Sequence, residues 1–427
     1  MRRAAFGFIF ATLLLDVLAL GVIIPVLPAL VKGFMGGDTE RGSRMYGLFG
    51  TVWALMQFGF APLLGALSDR FGRRPVILLS CLGLGLDYFL MAWAPTLGWL
   101  FAGRVISGIT AASFATAYAY VADVTPPEKR AGTFGVMGAA WGVGFVLGPA
   151  LGGFLGGISP RLPFWVAGAL SLANFAYGLF VLPESLAPEN RGRFSWARAN
   201  PVGSLRLLLR HAELWGLGAV NFLYQLAHQV LPSVFVLYAG HRFGWSTGRV
   251  GALLAAVGIC NIVVQAGLVR RFVGWAGERK SLLTGLFFGS AGFAIYGLAP
   301  TETLFWAAVP VFALIGFYGP AMNAIMTRRV APSEQGQLQG ANGSVAGIAG
   351  VVGPGLFTEV FARFIAPGRS PELVGAPFVL ASLLMLVAIA LAAAVTRTSA
   401  GAGSASPSGP APVSASPASG ASGPSTP

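Results

Sequence analysis

Apolar runs of 18 or more residues recur along the whole chain, as in "FGFIFATLLLDVLALGVIIPVLPAL", residues 6–30. As a helix, a run of that length crosses the roughly 30 Å of bilayer hydrocarbon. Hydrocarbon offers no partner to backbone N–H and C=O groups, so only helices or a closed barrel can span it. The two-residue alternation of barrel strands does not occur here. Only 10% of the residues are charged, too few to cover a water-soluble fold of this size. The pattern predicts an all-α, multi-pass membrane protein.

The hydropathy resolves into twelve helices, near 4–31, 46–67, 76–94, 97–121, 133–157 and 164–182, then 213–239, 249–269, 281–299, 303–326, 338–361 and 376–396. The first apolar run is too long for a cleaved signal peptide, carries Asp16 and has no evident small-residue cleavage site, so it reads as the first span. These positions predict an N-terminal six-helix bundle (1–182), a linker (183–212) with an amphipathic "SLRLLLR" end, and a C-terminal bundle (213–397). The Ala/Gly/Ser/Pro tail (398–427) has the composition of a disordered segment.

The formal charge of +13 invites a nucleic-acid reading, but its distribution has a simpler cause. With both termini in the cytoplasm, 19 of the 28 Lys and Arg lie in cytoplasmic segments and eight in outer loops, while Arg104 lies within a span. That asymmetry is the positive-inside pattern of a cell-membrane protein and needs no nucleic acid. Cys81 and Cys260 each sit inside an apolar run, which points to small apolar packing rather than a disulfide or zinc framework.

The two halves echo each other. Gly135, Gly138, Gly142 and Gly148 precede Pro149 at the same intervals at which Gly340, Gly343, Gly347 and Gly353 precede Pro354. Glycines at this spacing make a smooth helix face for close packing, and four in register at equivalent places mark an internal repeat. Two similar six-helix halves suit a transporter that rocks about a central site.

Charge concentrates in "GALSDRFGRRPVIL", residues 65–78, a turn between two apolar runs. With "LFAGRVISGITAA", which holds Arg104 and Gly108, and "GVGFVLGPALGG", residues 142–153, it makes three motifs in order on the expected helices. Together they resemble the loop 2–3, helix 4 and helix 5 signatures of the major facilitator superfamily. "LGLDYFLMA" and "YVADVTPPEKRAGTFG" resemble its tetracycline-efflux, drug:proton antiporter branch. The resemblance covers residues 4 to about 397 and implies a major-facilitator fold of twelve transmembrane helices in two six-helix halves.

It further implies that Gly65, Asp69, Arg70, Gly72, Arg73 and Arg74 form a cytoplasmic gate motif. In that motif Asp69 meets the N-terminus of helix 11, whose dipole favours an anion. Gly144, Gly148, Pro149, Gly152 and Gly153 match the antiporter motif. The second-half turn "VRRFVGWAGERKSLL" keeps Gly277, Arg279 and Lys280 but has no Asp in the corresponding place.

Asp16, Asp87 and Arg104 lie inside apolar runs, where each costs about 2.5–3.5 kcal/mol at mid-span, so a bundle-facing role is expected. Burial favours the neutral form of a carboxylate and a nearby guanidinium the charged form. An Asp under both influences can take up a proton in one conformation and release it in another. A static Asp–Arg pair that fixes packing is the competing reading.

The resemblance assigns Asp16, Asp87 and Arg104 to proton and substrate coupling, and Gln265 keeps the residue of its helix 8 motif. Gln57 in helix 2 reads equally as a polar contact for substrate or as a helix–helix hydrogen bond. The tetracycline-efflux branch carries a His in helix 8 and an Asp in helix 9, where this chain has Asn261 and Gly289. His228 in helix 7 can serve as a substitute proton carrier or as a hydrogen-bonded packing residue.

The expected function is proton-coupled export of small amphipathic compounds, with tetracycline-like drugs as the leading class. Transport of a native metabolite or siderophore is the alternative, and a non-transporting membrane sensor is a reading from another class. Scattered histidines argue against an enzyme, and no Gly-Lys-Ser/Thr phosphate loop points to ATP. Beyond the proton gradient no cofactor is expected, and a divalent cation would enter only bound to substrate. The expected partners are substrate, protons and the lipid bilayer, with the protein acting as a monomer.

Overall fold

The computed structural model describes residues 3–111, 114–192, 200–210, 212–331, 334–366 and 373–402. Among them ten helices are long and apolar enough to cross a membrane. They are α1 (Ile9–Phe34), α2 (Thr39–Phe71), α3 (Arg73–Trp93), α6 (Leu162–Val181), α7 (Glu213–Phe243), α8 (Thr247–Ala276), α9 (Glu278–Leu298), α10 (Glu302–Thr327), α11 (Gln335–Ile365) and α12 (Ala376–Arg397). The shorter apolar helix Leu97–Thr110, continued by Phe114–Val124, is α4, and Pro127–Ile158 is α5.

Several helices begin earlier than hydropathy alone predicts. α2 starts at Thr39 because Asp38 caps it, accepting from the Arg41 N–H at 3.1 Å, and Arg44 binds Glu40 one turn on at 2.7 Å. Such polar first turns are stable outside the hydrocarbon and carry no apolar signal.

Prolines set the breaks. Pro25 has no N–H for the Gly21 carbonyl, and α1 turns at residues 24–26. Pro232 likewise cannot serve the His228 carbonyl, and α7 is interrupted at Gln229.

Each half has its own core, with a large aromatic cluster around Tyr238, Tyr296, Phe305 and Phe312 in the second. Exposed Trp93, Trp99 and Trp165 ring one end of the bundle, while Trp215 and Trp275 ring the other. Aromatic girdles at both ends fit a bilayer-spanning body. The linker joins the end that carries the 71–73 turn, and its short helix Arg206–Arg210 buries Leu207 and Leu208 in the second core. Helix α12 continues to Ala402, and the rest of the expected tail lies outside the described residues.

The halves meet along two seams, α2 on α11 and α5 on α8. The motif glycines of α5 serve both sides of it. A Cβ at Gly144 would fall 2.8 Å from Val17, one at Gly148 2.7 Å from the Gly21 Cα, and one at Gly152 on the Val22 carbonyl, all on α1. Gly153 and the Pro149 carbonyl face the other way, against Gly251 of α8, while the Pro149 ring stays on the α1 side against Gly21. A side chain at Gly152 must therefore push α1 away. We expect Gly152→Val to lower stability by about 1–3 kcal/mol or more, seen as earlier thermal unfolding in detergent. Gly157→Val, with open space around it, should leave unfolding unchanged.

Candidate functional site

A cavity of about 1360 Å³ lies between the halves. Phe49, Trp53 and Phe58 of α2 line one side, and Tyr224 (α7), Tyr296 (α9) and Phe312 (α10) the other. At the end away from the linker it is sealed. There the Tyr46 hydroxyl donates to the Pro232 carbonyl at 3.0 Å, and Gly47 and Gly50 press against Thr358 and Pro354. A half-exposed ion network closes the same end, with Arg44 on Glu359 at 3.0 Å and Arg363 on Glu359 at 2.8 Å. Along the α2–α11 seam the close glycine contacts run down to Gly347 against Phe58. Beyond that level Gly65, Asp69, Gly340 and Ser344 line the cavity instead. It opens toward the linker end.

Four of the expected polar residues, Gln57, Arg104, His228 and Gln265, line the cavity together, joined by Asn261, Gln225 and Gln229. The break in α7 falls immediately after His228, the last residue of its first helical segment. Its ring lies 5.8 Å from Tyr224 and 5.9 Å from Phe312, and its Nδ1 has no hydrogen-bond partner among the described residues. Gln265 sits in a one-turn π-helical segment, Val264–Leu268, packed against the tight turn Leu314–Phe317 of α10. Single π turns of this kind are frequent at functional sites.

Asp16 and Asp87 lie behind the wall rather than in it. Asp16 is buried between α1 and α6 and accepts from Asn174 Nδ2 at 3.2 Å; the same amide reaches Cys81 Sγ at 3.6 Å. Cys81 thus borders a polar pocket, beyond the apolar packing expected of it. Asp87 is fully enclosed, neither oxygen has a hydrogen-bond partner among the described residues, and a Cβ at Gly103 would lie 2.8 Å from its Oδ1. Arg104, next in sequence to Gly103, donates from Nη2 to Ser107 Oγ at 3.2 Å, while its Nε is unpartnered. Among the described residues no ion pair within 4.0 Å joins Asp87 to Arg104. The second half replaces such acids with a neutral network, in which Asn221 donates to Asn342 and accepts from the Tyr318 hydroxyl.

The two departures in helices 8 and 9 differ in kind. Asn261 faces the cavity. Gly289 is buried, and a Cβ there would come within 2.7 Å of Ile315 Cδ1, so an acid at 289 would meet Ile315 before it met the cavity.

The charged turn is a knot inside the first half. Asp69 pairs with Arg73 at 2.5 Å, and Arg73 also donates to Ser68 Oγ at 2.7 Å and Asp123 Oδ2 at 3.1 Å. Glu184, just after α6, accepts from the Arg73 and Arg74 N–H groups at 2.8 and 3.3 Å, capping α3 where the helix dipole favours an anion. Gly72, at φ +105°, leaves room for that carboxylate, and a Cβ would collide with it. Arg74 donates to the Leu179 carbonyl at 2.7 Å, and Arg70 lies over the Phe71 ring. Among the described residues no hydrogen bond or ion pair joins Asp69 to α11 in this conformation, and Asp69 and Gly340 of α11 both line the cavity.

Sequence reasoning passed over Glu184, which sits in a polar linker stretch. Glu359 carries no sequence signal of its pairing, because its inter-half partner Arg44 lies far away in sequence. The one available signal for Glu184 is an acid three residues past the end of α6, directly after Pro183.

The model of the Major Facilitator Superfamily matches residues 9–354. Among curated proteins, the tetracycline resistance protein, class C, of Escherichia coli is 39% identical over 88% of this chain and 94% of its own. The class G protein of Vibrio anguillarum is 39% identical over 81% and 88%. Among solved structures, the human organic anion transporter MFSD10 (TETRAN) superposes with a TM-score of 0.68 at 25% identity, covering 91% of this chain and 99% of that one. The nucleoside transporter NupG, at 13% identity and a TM-score of 0.75 over 93% and 100%, shares the fold.

Proposed function

Because the chain belongs to the major facilitator superfamily, we propose that it is a proton-coupled secondary transporter, not an enzyme, that exports small amphipathic compounds of the tetracycline-like class. Identity of 33–39% to six classes of tetracycline resistance protein supports the substrate class. The observation that carries the reading is the aromatic cavity between two similar halves, sealed at one end and open at the other. A site reached from one side at a time is what alternating access requires. Asp87 and Asp16 carry protons behind the wall, and Arg104, Gln57, Gln265 and His228 face substrate.

In this reading the linker end is cytoplasmic and the protein works as a monomer in the cytoplasmic membrane. Residues 1–182 and 213–397 rock as two bodies about the α5–α8 and α2–α11 seams. When the linker end closes, Asp69 reaches the N-terminal turn of α11. The far-end network of Arg44, Glu359 and Arg363 opens in the same movement.

The test uses inverted vesicles with an imposed pH gradient. We expect protonophore-sensitive uptake of amphipathic dyes and weak uptake of magnesium-bound tetracycline, since Asn261, which faces the cavity, offers no charge to a cationic complex. Absence of gradient-driven uptake across a panel of anionic, neutral and cationic amphipaths would overturn the reading. Strong magnesium-dependent tetracycline uptake would show that the first-half acids suffice for the metal complex.

A further inference from the structure

We infer that the cavity selects amphipathic compounds carrying a negative charge at neutral pH, a carboxylate, sulfonate or enolate on an aromatic body, and that Arg104 receives that charge. The inference rests on the reading of the cavity as a substrate site and narrows its substrate class.

Among the described residues, three groups lining the cavity can carry a charge through carboxylate, guanidinium or imidazole chemistry: Asp69, Arg104 and His228. Asp69 is at the mouth and already paired with Arg73. Gly108 of α4 packs at the level of Trp53 and Met56, and Arg104 lies a turn further from the mouth. From Met56 to Asp69 the rise of α2 is about 20 Å, more than twice the screening length of about 8 Å in physiological salt. Asp69 therefore does little to neutralise Arg104.

The acids nearest Arg104 in the fold give it no direct counter-ion either. Asp87 lies close enough to feel its charge, but among the described residues it makes no ion pair with Arg104 within 4.0 Å, and Asp16 is engaged with Asn174. Arg104 is only 7% exposed, and among the described residues its one side-chain hydrogen-bond partner is a neutral serine hydroxyl. A buried cation without a direct counter-ion is costly, and an anionic ligand supplies that contact.

The neutral lining points the same way. Trp53 Nε1 is a donor without an acceptor among the described residues, and His228 Nδ1 is also unpartnered. The side-chain amides of Gln57, Gln225, Gln229 and Gln265 add further donors around the same space. Aromatic walls on both halves take up the apolar body. Such a cavity suits acceptors and negative charge, and rejects a cation both by repulsion from Arg104 and by lack of an opposing carboxylate.

The experiment compares three probes with one aromatic body: dansylglycine (anionic), its primary amide (neutral) and dansylcadaverine (cationic). Binding to the purified full-length protein in nanodiscs is read by energy transfer from tryptophan to dansyl. Dansylglycine should bind about tenfold or more tightly than either of the others, as expected for a charged hydrogen bond in a dry site. Arg104→Gln should reduce its affinity to that of the amide, and Arg104→Lys should keep a clear preference for the acid. Equal binding of all three probes by the wild-type protein, or an unchanged acid preference in Arg104→Gln, overturns the inference alone. Should the Gln variant fail to fold, the wild-type series decides. Binding of none of the three overturns the inference together with the broader amphipath reading.

Discussion

Asp69→Asn is expected to cut gradient-driven export by about tenfold or more, the worth of one charged hydrogen bond, while leaving membrane expression intact. In the open conformation Asp69 is half-exposed and its pair with Arg73 is screened by solvent, so little stability rests on it. The second-half turn carries Gly274 where the first has Asp69, and it folds into the same two-helix corner, with Gly277 in positive φ as Gly72 is. The corner does not need an acid to form. The cost of the amide should therefore appear in the closed conformation, where the proposed partner is the α11 N-terminus and a full charge counts for more. Uptake into inverted vesicles, with a cysteine-accessibility readout of the linker end, checks this. Wild-type export by a well-expressed Asp69→Asn variant would remove the gate from the mechanism.

Asp87→Asn should abolish gradient-driven export while substrate counterflow, measured without a pH gradient, survives. The two carboxylate oxygens accept no hydrogen bond from the described residues and lie against Gly103, one residue from Arg104. As an anion the group would be buried without a partner, at a cost of several kcal/mol; as the neutral acid it is accommodated. A small rotation of α3 against α4 that brought Asp87 to Arg104 would reverse that preference and let the carboxylate compete with an anionic substrate for the guanidinium. Asparagine matches its size but cannot release a proton. Asp16→Asn should be the milder change, because Asn174 can keep a hydrogen bond to the amide oxygen. Retention of gradient-driven export by both variants would make static packing the better account of these acids.

The apolar spans and their order could be read from residue type alone, because hydrocarbon imposes the same length and backbone rule on every crossing. The glycine register of 135–149 and 340–354 announced the two-fold repeat, and single charges in apolar runs marked Asp16, Asp87 and Arg104, because such charges are rare for a strong energetic reason. What a one-dimensional pattern cannot contain is which face of a helix looks at which neighbour. Packing divided the three charges, placing Arg104 on the cavity and both aspartates behind it, although all three look alike as interruptions of apolar sequence. It joined Glu184 to the N-terminus of α3, and Arg44 to Glu359 on the opposite half. It also set Gly289 behind Ile315, where alignment alone suggests a missing cavity acid. Each of these depends on contacts between helices far apart in the chain, and on which of two alternating ends is closed. Spacing along one helix determines neither.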